Sequence, residues 1–218
     1  MYNFVYEKAN TLEEVEKILN ENEESKILAG GQTLIPTMKQ RLASPSTLID
    51  ITDINELNFI NDNGDTITIG ATTTHNEVLS SEIVQSKIPS LAALAEGIGD
   101  PHVRNMGTIG GSISNNDPTA DYPTACLSLK AKIKTNKKEI SADDFFVGLF
   151  ETALEENEIV ISVEFCIPQK ASYMKFPNPA SRYAMAGVYV SVFDDGINVS
   201  VTGASENGVF KWTEMEEA

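Results

Sequence analysis

Apolar and polar residues near the start of the chain predict a small mixed unit. A capping box at 11–14 precedes apolar residues at helical spacing, so we expect a helix over about 12–21. Short apolar runs at 26–28 and 47–51 predict two strands, and residues 34–40 predict a helical turn between them. The expected order is a strand-like segment, a helix, a strand, a loop and a strand.

The middle of the chain changes from extended to helical spacing. Residues 66–70 alternate polar with apolar side chains after a turn sequence at 63–65, which predicts a half-buried strand. Residues 75–85 and 90–98 have helical spacing, and Ser90 is a suitable cap for the second segment. We therefore expect one strand followed by two helices.

The last part of the chain is predicted to be mostly extended. Residues 159–167 form a long apolar run that predicts a strand ending at Pro168. Two alternating runs, 187–193 and 197–202, flank an Asp-Asp-Gly turn at 194–196 and predict a β-hairpin.

Two glycine-centred stretches, 28–36 and 107–115, are the most informative features of the sequence. Glycine lacks a Cβ and tolerates positive φ, so successive N–H groups can point into one concavity and bind a phosphate. Thr33, Thr108 and Ser112 add hydroxyl groups. Neither stretch is a G-x-G-x-x-G fingerprint or a P-loop. Together they predict one extended ligand, such as two nucleotides joined by a pyrophosphate.

Composition narrows the class of protein. The chain has 218 residues, is 41% hydrophobic and carries a formal charge of −16, so it can bury a core and would repel nucleic acid. It lacks an apolar run of membrane-spanning length and a signal-like N-terminus, so we expect a cytoplasmic protein without a transmembrane segment. Cys126 and Cys166 have no metal-ligand spacing and are expected to be buried thiols, with no metal site.

Both glycine stretches lie within longer motifs. Residues 29–39, 104–112 and 117–123, followed by 178–184, resemble the FAD-binding medium subunits of the molybdenum hydroxylases, and among them the carbon monoxide dehydrogenase flavoproteins. The motifs occur in the expected order, and the resemblance covers essentially the whole chain.

The resemblance implies an α+β fold. Residues 1–169 would form an FAD-binding PCMH domain of the vanillyl-alcohol-oxidase type, with subdomains of about 1–55 and 56–169. Residues 170–218 would form a partial flavoprotein C-terminal domain. Members of the family usually continue for several dozen residues more, so we expect this last domain to be incomplete.

The resemblance also implies a non-covalent FAD site. In it the two glycine loops would hold the pyrophosphate and ribityl groups through N–H groups and hydroxyls. Asp121 would contact a ribityl hydroxyl, Ile161 would form an apolar wall, Lys175 would lie near N1 and C2=O of the flavin, Tyr183 would cover a face of the ring, and Arg104 would pair with a phosphate. The implied cofactor-binding residues are Ala29, Gly30, Gly31, Gln32, Thr33, Leu34, Ala71, Thr72, Arg104, Thr108, Ile109, Gly110, Gly111, Ser112, Asp121, Ile161, Lys175 and Tyr183.

Ordinary structural roles compete with several of these assignments. Asp121 is also a possible helix cap, Lys175 a solvated surface lysine, Tyr183 a core aromatic and Arg104 a member of an exposed salt bridge. His102 lies close to the second loop, but electrons enter and leave through the isoalloxazine, so we expect no catalytic side chain.

The predicted function follows from the resemblance. The chain would pass electrons from a 2Fe-2S small subunit, reduced by a molybdopterin large subunit, to NAD, a quinone or oxygen, within a hetero-oligomer. One rival is a stand-alone flavin reductase or oxidase of the same fold. A second rival is a non-catalytic FAD-binding assembly protein.

Overall fold

The computed structural model describes residues 1–217, and it begins with a three-stranded parallel sheet. The strands lie in the order β1-β3-β2. The elements of this unit are β1 (Val5–Lys8), α1 (Leu12–Glu21), β2 (Ser25–Leu28), α2 (Leu34–Lys39) and β3 (Thr47–Asp50). The predicted helix and both predicted strands are confirmed. Val15, Leu19 and Ile49 form part of the small core of this unit.

The start of α1 differs from the predicted capping box in one bond. The Thr11 hydroxyl accepts a hydrogen bond from the Glu14 N–H at 3.2 Å, as expected. The Glu14 carboxylate, however, accepts from the backbone N–H of Asn10 at 2.7 Å rather than from that of Thr11. Both bonds satisfy N–H groups near the helix start, so the helix begins at the predicted residue.

A five-stranded antiparallel sheet follows, with strand order β4-β5-β10-β6-β7. Its strands are β4 (Ile60–Asp62), β5 (Thr66–Gly70), β6 (Lys132–Thr135), β7 (Glu139–Ser141) and β10 (Val160–Cys166), and β8 (Phe146–Gly148) with β9 (Glu151–Thr152) forms a separate hairpin. Its helices are a 3-10 turn (Asn55–Leu57), α3 (His75–Ser80), α4 (Glu82–Lys87), α5 (Pro89–Glu96), α6 (Pro101–Met106), α7 (Ile109–Asn115), α8 (Tyr122–Ser128) and α9 (Ala142–Phe145). Helix and sheet side chains share the main hydrophobic core.

The helical region after β5 contains three helices where two were predicted. Ser81 is extended, and its hydroxyl accepts from the Val84 N–H at 3.3 Å, so it ends α3 and caps α4. Ser90 is not a cap, because Pro89 already occupies the first turn of α5. The Ser90 hydroxyl is buried and lies 2.6 Å from that of Tyr189.

The two cysteines differ in burial. Cys126 lies in the main core, as predicted, whereas Cys166 at the end of β10 is only half-buried, so the expectation of two buried thiols is wrong for it. Within residues 1–217, no cluster of three or more metal-ligating side chains is present.

The third sheet is antiparallel and has the strand order β11-β12-β13-β14. Its elements are β11 (Lys170–Pro177), β12 (Ala184–Phe193), β13 (Gly196–Thr202), β14 (Phe210–Lys211) and the short helix α10 (Thr213–Glu216). The predicted hairpin is confirmed as β12 and β13. Hydroxyls of this sheet face α8 and its preceding loop: Ser200 donates to the Thr124 carbonyl, and Thr202 to that of Ala120.

The two glycine loops touch through their backbones. A Cβ built on Gly30 would lie 2.0 Å from the Met106 carbonyl oxygen and 2.7 Å from the Cα of Gly107. A Cβ on Gly110 would lie 2.6 Å from the Ala71 Cβ. These glycines therefore allow close packing between segments, and the packing sets where the loops lie.

Gly30→Ala tests this contact. Its methyl group would overlap the Met106 carbonyl, so we expect the free energy of unfolding to fall by about 1–3 kcal/mol or more. Gly97→Ala is the matched control, because its Cβ would meet only ordinary contacts, the nearest at 3.4 Å. The control should stay within about 0.5 kcal/mol of wild type in urea denaturation. Equal loss in both variants would contradict the packing role.

Candidate functional site

A cavity of about 790 Å³ is lined by residues of both the three-stranded sheet and the five-stranded sheet. This volume is within the usual range for cofactor pockets. Both glycine loops line it, as do residues that follow β5, precede α8 and connect β11 to β12. The predicted site residues in its wall are Ala29, Gly30, Gly31, Gln32, Thr33, Leu34, Ala71, Thr108, Gly110, Gly111, Ser112, Asp121 and Tyr183.

The first loop presents a row of available backbone donors. Gly31 has φ +68°, which turns the chain between β2 and α2. Among residues 1–217, no protein group accepts a hydrogen bond from the six backbone N–H groups of 29–34. Successive N–H groups around a left-handed glycine form a concavity suited to an anion. The first loop therefore fits the predicted phosphate cradle.

The second loop differs from the expectation, because the backbone N–H groups of 109–112 already donate to other groups of the protein. Ile109 N–H donates to the Thr73 carbonyl at 3.1 Å and Gly110 N–H to that of Ala71 at 2.9 Å. Gly111 N–H donates to the Thr108 hydroxyl at 3.1 Å, which makes Thr108 the cap of α7. This loop contributes hydroxyl groups to the cavity wall. Because its glycines have no side chains, it also leaves space for a ligand.

Comparison with known proteins identifies the family. The model of the FAD binding domain in molybdopterin dehydrogenase matches residues 2–169. The chain belongs to this family. FAD is therefore its cofactor, and the predicted α+β FAD-binding fold is confirmed.

Relatives in this family are similar over most of the chain. The glyceraldehyde dehydrogenase medium chain of Sulfolobus acidocaldarius is 37% identical over 224 residues, covering 98% of this chain and 80% of that one. The carbon monoxide dehydrogenase medium chain of Hydrogenophaga pseudoflava is 38% identical, covering 90% and 71%. A solved carbon monoxide dehydrogenase from that organism, lacking the Mo-pyranopterin moiety of its cofactor, matches with a TM-score of 0.91 at 34% identity, covering 96% and 77%. Such medium chains are FAD subunits of oxidoreductase complexes.

Four predicted residues of this FAD-binding subunit lie outside the cavity wall in ordinary structural positions. Ile109 is fully buried in the main core, and Thr72 is buried with its hydroxyl unpartnered. Ile161 packs against the core of the three-stranded sheet, and its carbonyl accepts from the Ala71 N–H at 2.8 Å. Arg104 donates to the Ile98 carbonyl at 3.2 Å, so the alternative of an exposed salt bridge is wrong within the described residues.

Lys175 is the fifth predicted residue outside the cavity wall, and it forms a buried ion pair with Asp121. Its ammonium lies 2.9 Å from the Asp121 carboxylate, with only 8% and 6% of the two side chains exposed, and also donates to the Gly97 carbonyl at 2.9 Å. Tyr173 donates to the same carboxylate. The alternatives of a solvated lysine and of a capping aspartate are therefore both wrong: Asp121 makes no capping bond to α8.

Burial controls the protonation of two residues in this wall. It raises the pKa of Asp121, and the neighbouring Lys175 ammonium opposes that rise. It lowers the pKa of His75 to about 4, with a further contribution from the Arg104 charge. His75 was not predicted from the sequence, since a single histidine after a strand carries no distinctive pattern.

The cavity also extends beyond the predicted residues. Residues 154–160, before and within the start of β10, also line it, together with Lys26 of β2. Arg182, with φ +62°, precedes Tyr183 in the chain and lines the cavity as well. Arg182 falls inside the motif at 178–184, whereas no sequence signal marks residues 154–160.

Tyr183 is 47% exposed, so its alternative role as a core aromatic is wrong.

No helix in the described part of the chain is long and apolar enough to cross a membrane.

Lys175→Met tests the buried pair. Removing the ammonium leaves a buried carboxylate without its counter-charge, so we expect a loss of about 3–5 kcal/mol in the free energy of unfolding. A double variant, Asp121→Leu with Lys175→Met, should recover part of this loss, since it leaves no isolated charge. Urea denaturation measures both, and a double variant less stable than the single one would contradict the explanation.

The loss in Lys175→Met should also depend on pH. Because burial raises the pKa of Asp121, the folded protein binds that proton more tightly than the unfolded chain. Stability therefore falls as pH rises from the unfolded value, about 3.9, through the folded one. Without Lys175 the folded pKa rises further, so the deficit relative to wild type should grow as pH rises above the unfolded value. A deficit independent of pH would contradict this assignment.

Proposed function

We propose that this FAD-binding subunit transfers electrons from a 2Fe-2S protein to an external acceptor, which is NAD, a quinone or oxygen. The observation that carries the proposal is that the six backbone N–H groups of 29–34 have no acceptor within the described residues and belong to residues that line a cavity large enough for a dinucleotide. When bound there, FAD supplies the redox chemistry through its isoalloxazine ring. The chain itself supplies binding, orientation and electrostatics.

The residues present fit FAD. The N–H groups of the first loop suit the diphosphate, and the Thr108 and Ser112 hydroxyls of the second loop face the same cavity. Tyr183 suits an aromatic ring, because it lines the cavity and about half of it is exposed. Asp121 lies in the wall and is the group through which Lys175 would act on the cofactor. We retain all eighteen predicted residues as cofactor-binding candidates on the family resemblance, and we expect those in the wall to contribute most.

We infer the partners of this chain from the names of its relatives. They are named medium chains, medium subunits or FAD-subunits, which implies a hetero-oligomer. We propose a 2Fe-2S small subunit and a molybdopterin large subunit as the other members. The same fold would also serve a stand-alone flavin reductase or oxidase, or an assembly protein that binds FAD without turnover. No observation in the structure favours either rival.

Gly111→Val tests FAD binding. The nearest atom to a Cβ at this position is the Thr108 hydroxyl oxygen at 3.0 Å, and the residue lines the cavity. A valine would therefore occupy ligand space, and its Cβ would also crowd the Thr108 hydroxyl that caps α7. We expect wild type to retain yellow, acid-releasable FAD after desalting, and the variant to lose at least about tenfold in FAD affinity, or about 1.4 kcal/mol.

Ala93→Val is the matched control, because Ala93 is an exposed position of α5 outside the cavity wall. It should retain FAD as wild type does. Unchanged FAD affinity in Gly111→Val would contradict the assignment of the cavity. Bleaching of the flavin absorbance by a reduced 2Fe-2S protein would support electron transfer over a stand-alone reductase. Failure of every donor to bleach it would favour an assembly protein.

A further inference from the structure

His75 lies where the two glycine loops are held together. It is the first residue of α3, and its backbone N–H donates to the Gly107 carbonyl at 2.9 Å. Its ring packs against the same residue, because a Cβ on Gly107 would lie 2.7 Å from the ring atom Nε2. The side chain is 5% exposed and lines the cavity. An imidazole is thus placed directly beneath the second loop.

The surroundings of this imidazole are polar but incomplete. Nδ1 of His75 is buried without a hydrogen-bond partner, and so is the hydroxyl of Tyr122, whose ring centroid is 5.4 Å from that of the imidazole. Buried polar groups in native proteins normally have partners, so the unpartnered Nδ1 of this cavity-lining imidazole indicates a group that a ligand or its hydration completes.

Positive charge and burial oppose protonation of His75 in the free protein. Arg104 of α6 and burial together bring its pKa to about 4. Tyr122 of α8 is neutral, since burial raises its pKa, and Asp121 beside it is paired with Lys175. On α3 itself, Glu77 is bound in the capping box with Thr74.

The other elements packed against α3 add no charge at the ring. The ionisable side chains of α4 and α5, which contact α3, are Glu82, Lys87 and Glu96, and all three are exposed. No unpaired anion of the described chain therefore faces the imidazole. An anion bound in the cavity would be the first group to favour the imidazolium form.

We propose that His75 is a proton-binding residue of the cofactor site, neutral in the free protein and protonated from solvent when a diphosphate is held by the glycine loops. The inference rests on the proposed FAD site and adds a linked proton to it. A diphosphate carries two negative charges into a cavity partly shielded from water, where charge interactions are stronger than in bulk solvent. Linkage then requires cofactor affinity to rise as pH falls.

The chain is well suited to a direct measurement, because it contains two histidines, His75 and His102. His102 is exposed and outside the cavity wall, so His102→Gln leaves His75 as the single imidazole signal in proton NMR. In the free protein we expect that signal to stay constant from about pH 8 to about pH 5.5. With saturating FAD or ADP it should shift toward the imidazolium position over the same range. Riboflavin, which lacks the diphosphate, should not shift it.

A second measurement tests the same linkage through the pH dependence of FAD affinity. FAD should bind about threefold or more tightly at about pH 5.5 than at about pH 8, and His75→Asn should remove most of this dependence. His102→Asn is the matched control and should keep it. Because asparagine leaves the backbone N–H to Gly107 in place, a variant that folds and binds FAD remains informative.

The outcomes separate the two proposals. A yellow, FAD-loaded protein in which the His75 signal and the affinity are both insensitive to pH would overturn the linked proton and leave FAD binding intact. A colourless protein that binds neither FAD nor ADP at any pH would overturn the proposed site together with the inference. A shift with riboflavin equal to that with ADP would overturn the role of the diphosphate.

Discussion

Close backbone contact between the two glycine loops is the constraint on which the site depends. Gly30 reaches the Met106 carbonyl, and Gly110 packs on Ala71. The first loop leaves the three-stranded sheet, whereas Ala71 directly follows a strand of the five-stranded sheet. A side chain at Gly30 would push the first loop away from the second, and one at Gly110 would push α7 away from the segment after β5. The cavity therefore has its shape because backbone meets backbone, before any ligand is considered.

The third sheet adds a different kind of constraint, because polar groups attach it to the rest of the chain. The buried hydroxyl of Ser200 and the Lys175–Asp121 pair both cross to the segment around α8. Such contacts are directional and lose much of their value when one partner is missing. Since Asp121 also lines the cavity, the position of this sheet determines one part of the wall.

The sequence predicts elements well where the signal is local. The helix after Thr11 and the hairpin through 194–196 are confirmed because capping and turn residues act within a few positions. The break at Ser81 is missed because apolar spacing continues across it, although Pro89 offers a signal for the start of α5.

The candidate site is predicted less completely, because its details depend on contacts between distant segments. The sequence identifies both glycine stretches as ligand-facing, and both line the cavity. It does not show that the 109–111 N–H groups are used internally, since their acceptors include Ala71 and Thr73 from another segment. For the same reason Lys175 is ambiguous in the sequence: only the fold places it beside Asp121.

The division of roles between the loops also explains how so acidic a chain accommodates an anionic cofactor. The chain carries a formal charge of −16, and among residues 1–217 the lysines and arginines that reach the cavity wall are Lys26 and Arg182. Attraction for a diphosphate must then come mainly from fixed backbone dipoles, which the free N–H groups of 29–34 provide. Dipoles held in place by the glycine contact act at short range and need no mobile side chain. The first glycine loop thus has two roles. Its packing shapes the cavity, and its N–H groups are the donors that suit the ligand.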